Sequence, residues 1–155
     1  MLTHLHISGF ALIDEVELAL GPGLTVITGE TGAGKSIVVE AMALLRGARA
    51  GADVIRAGRD EARVEAIIAL PARGVARAKL EEDGRAEELD DGLVVRRVIA
   101  RQGRGRAHLG GGLATAGDLA KHVAGLIDIA SQHDQQSLTD PESQLAILDA
   151  FAENE

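Results

Sequence analysis

The sequence predicts an α/β fold, and three observations lead to this prediction. Residues 24–28 are apolar or β-branched, which is typical of a buried strand. A glycine-rich stretch, Gly29 to Ser36, follows them at once, and the largely apolar residues 37–45 then indicate a helix. Elsewhere, apolar and polar residues alternate in short runs separated by turn residues. We therefore expect a mixed sheet with an antiparallel β portion and flanking helices.

The glycine-rich stretch matches the phosphate-binding loop pattern G-x-x-x-x-G-K-[ST] and stands between a strand and a helix, as that pattern requires. Glycines bring bare N–H groups close to a ligand, and the first helical turn adds unpaired N–H groups and the positive end of its dipole. A glycine-rich turn that matches by chance is the alternative, but it explains neither flanking element. The sequence thus predicts a P-loop NTPase with ATP and Mg²⁺ as cofactors.

Two side chains of this loop have expected roles. Lys35 is expected to reach the β- and γ-phosphates as a catalytic residue, and the Ser36 hydroxyl to ligate Mg²⁺. The predicted nucleotide contacts are Gly29, Glu30, Thr31, Gly32, Ala33, Gly34, Lys35, Ser36 and Ile37.

Composition narrows the class of protein. The net charge of −8 argues against a wholly basic nucleic-acid-binding surface, although it allows a local patch. There is no cysteine, which excludes disulfides and thiolate metal sites. Phe10 and Phe151 are the only aromatic residues, so the core must be aliphatic. No apolar run is long enough for a membrane span, and the first residues do not resemble a signal peptide, so a cytoplasmic protein is expected.

The chain begins with two strand patterns. Residues 2–7 and 16–20 alternate in hydropathy, and the turn residues 21–23 lead into the strand of the P-loop. His4 and His6 fall on one face of the first strand, which suggests a metal site. Because no third ligand is nearby, exposed histidines are the favoured interpretation.

The middle of the chain contains three further strand candidates. Residues 62–70 form one, residues 93–100 another, and residues 106–109 return after a hairpin turn and end at the glycines 110–112. The polar stretch 72–91 between them predicts a solvated helix face and loop.

The last third predicts helix, strand and helix. Thr115 is a plausible N-cap for a helix to about Val123. Residues 126–130 resemble a short buried strand, and the polar residues 131–136 follow it, where α/β proteins place ligand-contacting side chains. Pro141 with Asp140 before it starts a terminal helix.

Five arginines form the densest basic cluster. Successive strand residues point to opposite faces, so the cluster amounts at best to two half-patches. Contacts to DNA phosphates are one interpretation, but solvated arginines or arginines in a protein interface are favoured. The cluster consists of Arg96, Arg97, Arg101, Arg104 and Arg106.

Several stretches together resemble the SMC-like branch of the ABC-type ATPases, and within it the bacterial ATPases of DNA double-strand-break repair. The resemblance spans nearly the whole chain and departs at Ala130-Ser131, where His-Gly is expected, and in residues 72–91. The stretches that carry it are 6–13, 23–36, 47–50 with 55–58, 95–99 with 103–107, and 128–138.

The resemblance implies that residues 1–155 are the N-terminal half of an ATPase head and that residues 141–155 are a terminal helix leading toward a coiled coil that is absent. It implies that Gln132 reaches Mg²⁺ or the attacking water, as a second catalytic and metal-contacting residue. The signature motif, the Mg²⁺-binding aspartate and the catalytic glutamate of the family have no counterpart in this sequence. The implied partners are the C-terminal half of the head, a second head joined by ATP-dependent dimerisation, and DNA through the full-length protein.

The leading prediction is therefore ATP binding, with ATP hydrolysis in the full-length protein coupled to DNA double-strand-break repair and recombination, in the cytoplasm at the nucleoid. One alternative is a self-contained P-loop kinase or NTPase acting on a small molecule, which needs an acceptor pocket and no glutamine loop. Another alternative is a non-catalytic interaction half-domain.

Overall fold

The computed structural model describes residues 1–29, 34–85, 89 and 91–129. Within them, six strands form an antiparallel sheet in the order β2–β1–β3–β4–β5–β6. The strands are β1 (Leu2–Phe10), β2 (Ile13–Ala19), β3 (Glu61–Ile68), β4 (Leu93–Ala100), β5 (Arg106–Leu109) and β6 (Gly112–Ala114). The helices are α1 (Lys35–Leu45), α2 (Val75–Glu82) and α3 (Ala116–Val123), with a short 3-10 turn at Ala52–Val54.

One face of the sheet, here called the inner face, carries the core. Strand β3 shows the alternation clearly, because Ala62, Val64, Ala66 and Ile68 are buried while the residues between them are half-buried. Helix α1 packs on β1, β3 and β4, and α3 packs on β5. In the part of the chain that the structure describes, no helix is long and apolar enough to cross a membrane.

Helix α1 is held on the sheet by four buried residues, Val38, Ala41, Leu44 and Leu45. Their spacing of three and four residues places them on one stripe of the helix. Burying each of the larger aliphatic side chains contributes about 1.5–3 kcal/mol. The N-terminal end of α1, which contains the P-loop lysine, is therefore seated by an aliphatic contact, as the composition predicts.

The end of α1 meets the start of α3 at Gly47. This residue has a φ of 91°, and a Cβ atom built on it would lie 2.4 Å from the Ala116 carbonyl oxygen and 2.9 Å from the Ala120 nitrogen. A left-handed conformation and a close backbone approach both require glycine here. The junction between α1 and α3 thus depends on the absence of a side chain.

Gly47→Ala is expected to lower the free energy of unfolding by roughly 2–5 kcal/mol, because strain at positive φ adds to the clash with α3. Gly58→Ala is the matched control, since Gly58 has a φ of 84° with no atom within 4 Å of a Cβ. It should lose only about 1–2 kcal/mol, the backbone part. Chemical denaturation of both variants measures the difference, and equal losses would contradict a steric role for the α1–α3 contact.

The structure confirms five predicted strands with small shifts at their ends: residues 2–7, 16–20, 62–70, 93–100 and 106–109 correspond to β1–β5. The P-loop helix starts two residues earlier than predicted, at Lys35. Thr115 is the N-cap of α3, as predicted: its Oγ1 accepts the Asp118 N–H at 3.1 Å, and its own N–H donates to Asp118 Oδ2 at 2.8 Å.

Two predicted strands are wrong in this structure. Residues 24–28 and 126–129 have no strand pairing, and Leu126 lies in a turn that follows α3. A strand needs a neighbour to bond its N–H and C=O groups, and the described sheet offers none to either segment. The sequence pattern reports the apolar character of these segments but not the presence of a partner strand.

One element was missed, and another fits its prediction in part. β6 (Gly112–Ala114) begins at the last of the glycines 110–112, where the sequence predicts only the end of β5. Helix α2 lies in the polar stretch 72–91 and is mostly exposed as expected, but its Leu80 is fully buried. The predicted terminal helix at 141–155 lies outside the described residues.

Candidate nucleotide-binding site

The N-terminus of α1 has the geometry of an anion site. Gly34 precedes the helix with a φ of 98° and a ψ of −2°, in the left-handed region, and no side chain caps the first turn. The Val38 N–H bonds to the Gly34 carbonyl oxygen at 3.1 Å, so the N–H groups of Lys35, Ser36 and Ile37 come before the first helical bond. These donors, together with the positive end of the helix dipole, suit a phosphate.

Lys35 connects the two sides of the loop. Its Nζ atom donates a hydrogen bond to the Gly29 carbonyl oxygen, at the other end of the P-loop. Lys35 is half-buried and Ser36 is exposed. The ammonium group thus lies beside the Gly29 carbonyl oxygen, and Ser36 is exposed in the first turn of α1.

The structure brings together the ends of the predicted site. Gly29, Gly34, Lys35, Ser36 and Ile37 are all described and lie around the start of α1. Glu30, Thr31, Gly32, Ala33 and Gln132 were also predicted to contact nucleotide or metal, and they lie outside the described residues. Their roles stay predictions.

The segment that leads into the loop is open to solvent. Residues 21–29 are all exposed, and Leu24, Val26 and Ile27 show 91%, 70% and 48% of their surface. Apolar side chains at that exposure are costly when contiguous, since each keeps surface in water that burial would remove. The P-loop therefore follows an uncovered apolar segment, which we call the entry segment (residues 21–29).

Most members of the arginine cluster bond to the chain itself. Arg96 bonds to Glu65 and lowers the pKa of that carboxyl group. Arg106 Nη2 lies 3.9 Å from Glu61 Oε2, and Arg101 Nε donates to the Arg59 carbonyl oxygen at 3.1 Å. These contacts favour structural arginines over a DNA patch.

The predicted histidine pair does not form a metal centre here. His6 Nε2 lies 3.1 Å from Glu15 Oε1, while His4 Nδ1 contacts Thr3 Oγ1 at 3.3 Å. Within the described ranges, no three His, Asp or Glu side chains are placed to hold a metal ion. His4 is exposed, as the favoured interpretation expects, whereas His6 is half-buried beside Glu15.

Sequence reasoning missed an ionic tie between α2 and α3. Asp83 at the end of α2 accepts Lys121 Nζ at 2.5 Å and lies 2.8 Å from Nε2 of the buried His122. Lys121 and His122 lower the pKa of Asp83. Arg85 Nη2 donates to Asp118 Oδ2 at 3.1 Å. These partners are more than 30 positions apart, so no local pattern signals them.

Comparison with known sequences identifies the class of protein that this loop and sheet define. The AAA domain family matches residues 4–148, and the chain therefore belongs to that family. Its relatives include the DNA repair protein RecN of Halalkalibacterium halodurans, 41% identical over 153 residues, and that of Streptomyces coelicolor, 42% identical over 149 residues. The resemblance found in the sequence is confirmed at the level of the RecN proteins.

The chain is much shorter than these relatives. The matches cover 98% and 96% of this chain, but only 27% and 26% of the two RecN proteins. Most of the length of the two RecN proteins therefore has no counterpart in these 155 residues.

Solved structures confirm the fold. The Smc head domain of Pyrococcus yayanosii aligns with a TM-score of 0.67 at 21% identity, over 98% of this chain and 34% of that chain. The recombination mediator RecF aligns with a TM-score of 0.65 at 17% identity, over 97% of this chain and 38% of that chain. An SMC ATPase chain, with a TM-score of 0.64 at 22% identity, is matched over 97% of this chain and 98% of its own length. The fold is that of part of an SMC-type ATPase head.

Proposed function

We propose that this chain is the N-terminal half of an ABC/SMC-type ATPase head that binds ATP. In the complete protein, the head hydrolyses ATP in support of DNA double-strand-break repair and recombination. One observation carries the proposal: the uncapped N-terminus of α1 follows Gly34 and starts with Lys35 and Ser36. A nucleoside triphosphate with its metal ion requires backbone donors, a cation and a hydroxyl group, and all three are found at this helix end.

The described donor set fits a triphosphate with Mg²⁺. Lys35 supplies positive charge toward the β- and γ-phosphates, and the Ser36 hydroxyl is an oxygen ligand of the kind that Mg²⁺ prefers. The N–H groups at the start of α1 orient the phosphate chain. Mg²⁺ held by this hydroxyl group would neutralise charge that develops on the phosphate oxygens. Gln132, by resemblance, positions the metal or the attacking water.

The remainder of the head is the proposed first partner. The exposed entry segment has the composition of a covered strand, and the RecN relatives are far longer than this chain. Together these observations support a C-terminal half that supplies the neighbouring strand, the Mg²⁺-binding aspartate and the catalytic glutamate, with residues 141–155 leading toward a coiled coil. ATP-driven dimerisation and DNA-stimulated activation are described for the SMC ATPase neighbour. We propose a second head and DNA as partners of the complete protein, at the nucleoid in the cytoplasm.

The two alternatives make different demands on the chain. A self-contained kinase for a small molecule needs a covered P-loop strand, whereas Leu24 is 91% exposed. A non-catalytic half-domain needs no nucleotide donors, whereas the start of α1 presents them. The split-head proposal accounts for both features.

ATP titration of the chain, with and without the separately produced remainder of a RecN-type protein, tests the proposal. We expect ATP binding that tightens when the remainder is added, together with the appearance of hydrolysis. Phosphate transfer to a small-molecule acceptor by the chain alone would favour the kinase. Association with the remainder without any nucleotide binding would favour the non-catalytic alternative.

A further inference from the structure

Arg97 occupies an unusual position in the sheet. Strand β4 alternates its side chains, and Arg97 shares the inner face with Val95 and Ile99, two positions away on either side. Across the sheet it stands opposite Val64 of β3 and Ala107 of β5. All four neighbours are buried, with 0%, 5%, 1% and 1% of their surface exposed, in the order named. A guanidinium group thus rises from an aliphatic part of the core.

Within the described part of the chain, one donor of this guanidinium group lacks an acceptor. The Nε atom of Arg97 is shut off from solvent and has no hydrogen-bond partner there. The residue as a whole is half-buried, and burial lowers its pKa. A buried N–H donor without an acceptor costs free energy, and native proteins almost always supply one.

Two other arginines also have a buried Nε atom without a hydrogen-bond partner, but each has another favourable interaction. Arg63 bonds to Glu61 through Nη2 at 3.0 Å. Arg46 follows the last residue of α1, where the negative end of the helix dipole stabilises a cation. Arg97 lies in mid-strand, where the alternating peptide dipoles nearly cancel. Its need for an acceptor is therefore not met by the fold described.

We propose that Arg97 is an interface residue whose guanidinium receives an Asp or Glu carboxylate from the remainder of the protein. The choice of a carboxylate follows from the planar fork of a guanidinium group, which a carboxylate matches with two parallel hydrogen bonds. The choice of the remainder follows from the length of the RecN relatives, which extend far beyond the part covered here. The choice of the remainder of the protein as the partner rests on the proposed function.

Replacement of Arg97 should not destabilise the chain alone, but it should weaken the association of the chain with the remainder of the protein. Arg97→Met keeps the length of the side chain and removes the charge. In the chain alone, the melting temperature should stay the same or rise, because a half-buried guanidinium group with an unpaired Nε donor is lost. With the remainder, the affinity of association should fall about 100-fold or more, because the carboxylate is left buried without a partner. Thermal unfolding and calorimetric titration measure the two effects.

Arg96→Met is the matched control. Arg96 is the neighbour of Arg97 in sequence but lies on the opposite face, where Glu65 already pairs with it. Its replacement should lower the melting temperature of the chain alone and change the affinity for the remainder by less than threefold. The contrast between adjacent arginines separates an interface role from a general effect of losing charge on β4.

Three results obtained with Arg97→Met or with phosphate would overturn the inference. Unchanged association of Arg97→Met with the remainder would show that no carboxylate depends on it. A large drop in the melting temperature of the variant alone would show that the guanidinium is already satisfied within the chain. Inorganic phosphate that stabilises the parent but not Arg97→Met would point to a free anion instead.

The association measurement needs no nucleotide, so the two proposals fail separately. A chain that binds ATP but does not associate with the remainder would overturn the role of Arg97 and leave nucleotide binding intact. Association that depends on Arg97, in a protein that does not bind ATP, would refute the proposed function and support the interface.

Discussion

Lys35→Ala is expected to abolish measurable ATP binding while leaving the melting temperature within about a degree of the parent value. The ammonium group is held beside the first residue of the P-loop by its bond to the Gly29 carbonyl oxygen. Each hydrogen bond to a charged group contributes roughly 1.5–3 kcal/mol, so loss of contacts to two phosphates weakens binding roughly 10²- to 10⁴-fold. The fold should survive, because the buried residues that seat α1 lie further along the helix.

The matched control for this variant is Lys79→Ala. Lys79 is exposed in α2 and far from the P-loop in sequence, so its loss removes the same charge from the same chain. Titration with a fluorescent ATP analogue, in the presence of the remainder, measures both variants. ATP affinity of Lys35→Ala equal to that of the parent would show that the P-loop assignment is wrong.

The second large effect concerns hydrolysis. The 155-residue chain alone should show no ATP hydrolysis above background, and addition of the remainder should restore it. Phosphoryl transfer depends almost entirely on positioning and on electrostatic stabilisation by several groups. An Mg²⁺-binding aspartate, a catalytic glutamate and a signature motif are not assignable in this sequence, so turnover should fall by many orders of magnitude. Release of inorganic phosphate measures it.

The chain alone should also self-associate, because the entry segment leaves apolar surface in water. Replacing Leu24 and Val26 by serine should reduce self-association in analytical ultracentrifugation. Serine in place of Leu113, which is 71% exposed on β6, is the control and should change little. A monodisperse chain that hydrolyses ATP at an ordinary enzymatic rate would instead favour a self-contained P-loop enzyme.

Local signals in the sequence were sufficient for elements whose interacting residues are close in sequence or whose partner strands are present in the chain. β3 alternates strictly in hydropathy, and its partners β1 and β4 are present, so pattern and structure agree. Thr115 and Asp118 cap α3 within four residues, which a sequence pattern detects directly. The P-loop is recognised for the same reason, since its chemistry lies in eight consecutive residues.

Features that depend on a partner could not be predicted in the same way. The entry segment has the composition of a buried strand, but whether it forms one depends on a neighbour that the described sheet does not contain. Arg97 and Arg96 look alike in sequence, yet Glu65 reaches only one of them. The tie between Asp83 and His122 joins two helices through tertiary packing. Such pairings are set by the whole fold, not by spacing.

The pairing of β1 has a consequence for the energetics of local opening. β1 pairs with β2 on one edge and with β3 on the other, so the chain leaves the sheet after β2 and returns beside the same strand. The long connection between β2 and β3 costs little more entropy to close than a shorter one, because this cost grows only with the logarithm of the length. The entry segment has no strand pairing in the described sheet, so its displacement breaks none of the hydrogen bonds between strands. Its free energy of opening is therefore separate from the global free energy of unfolding.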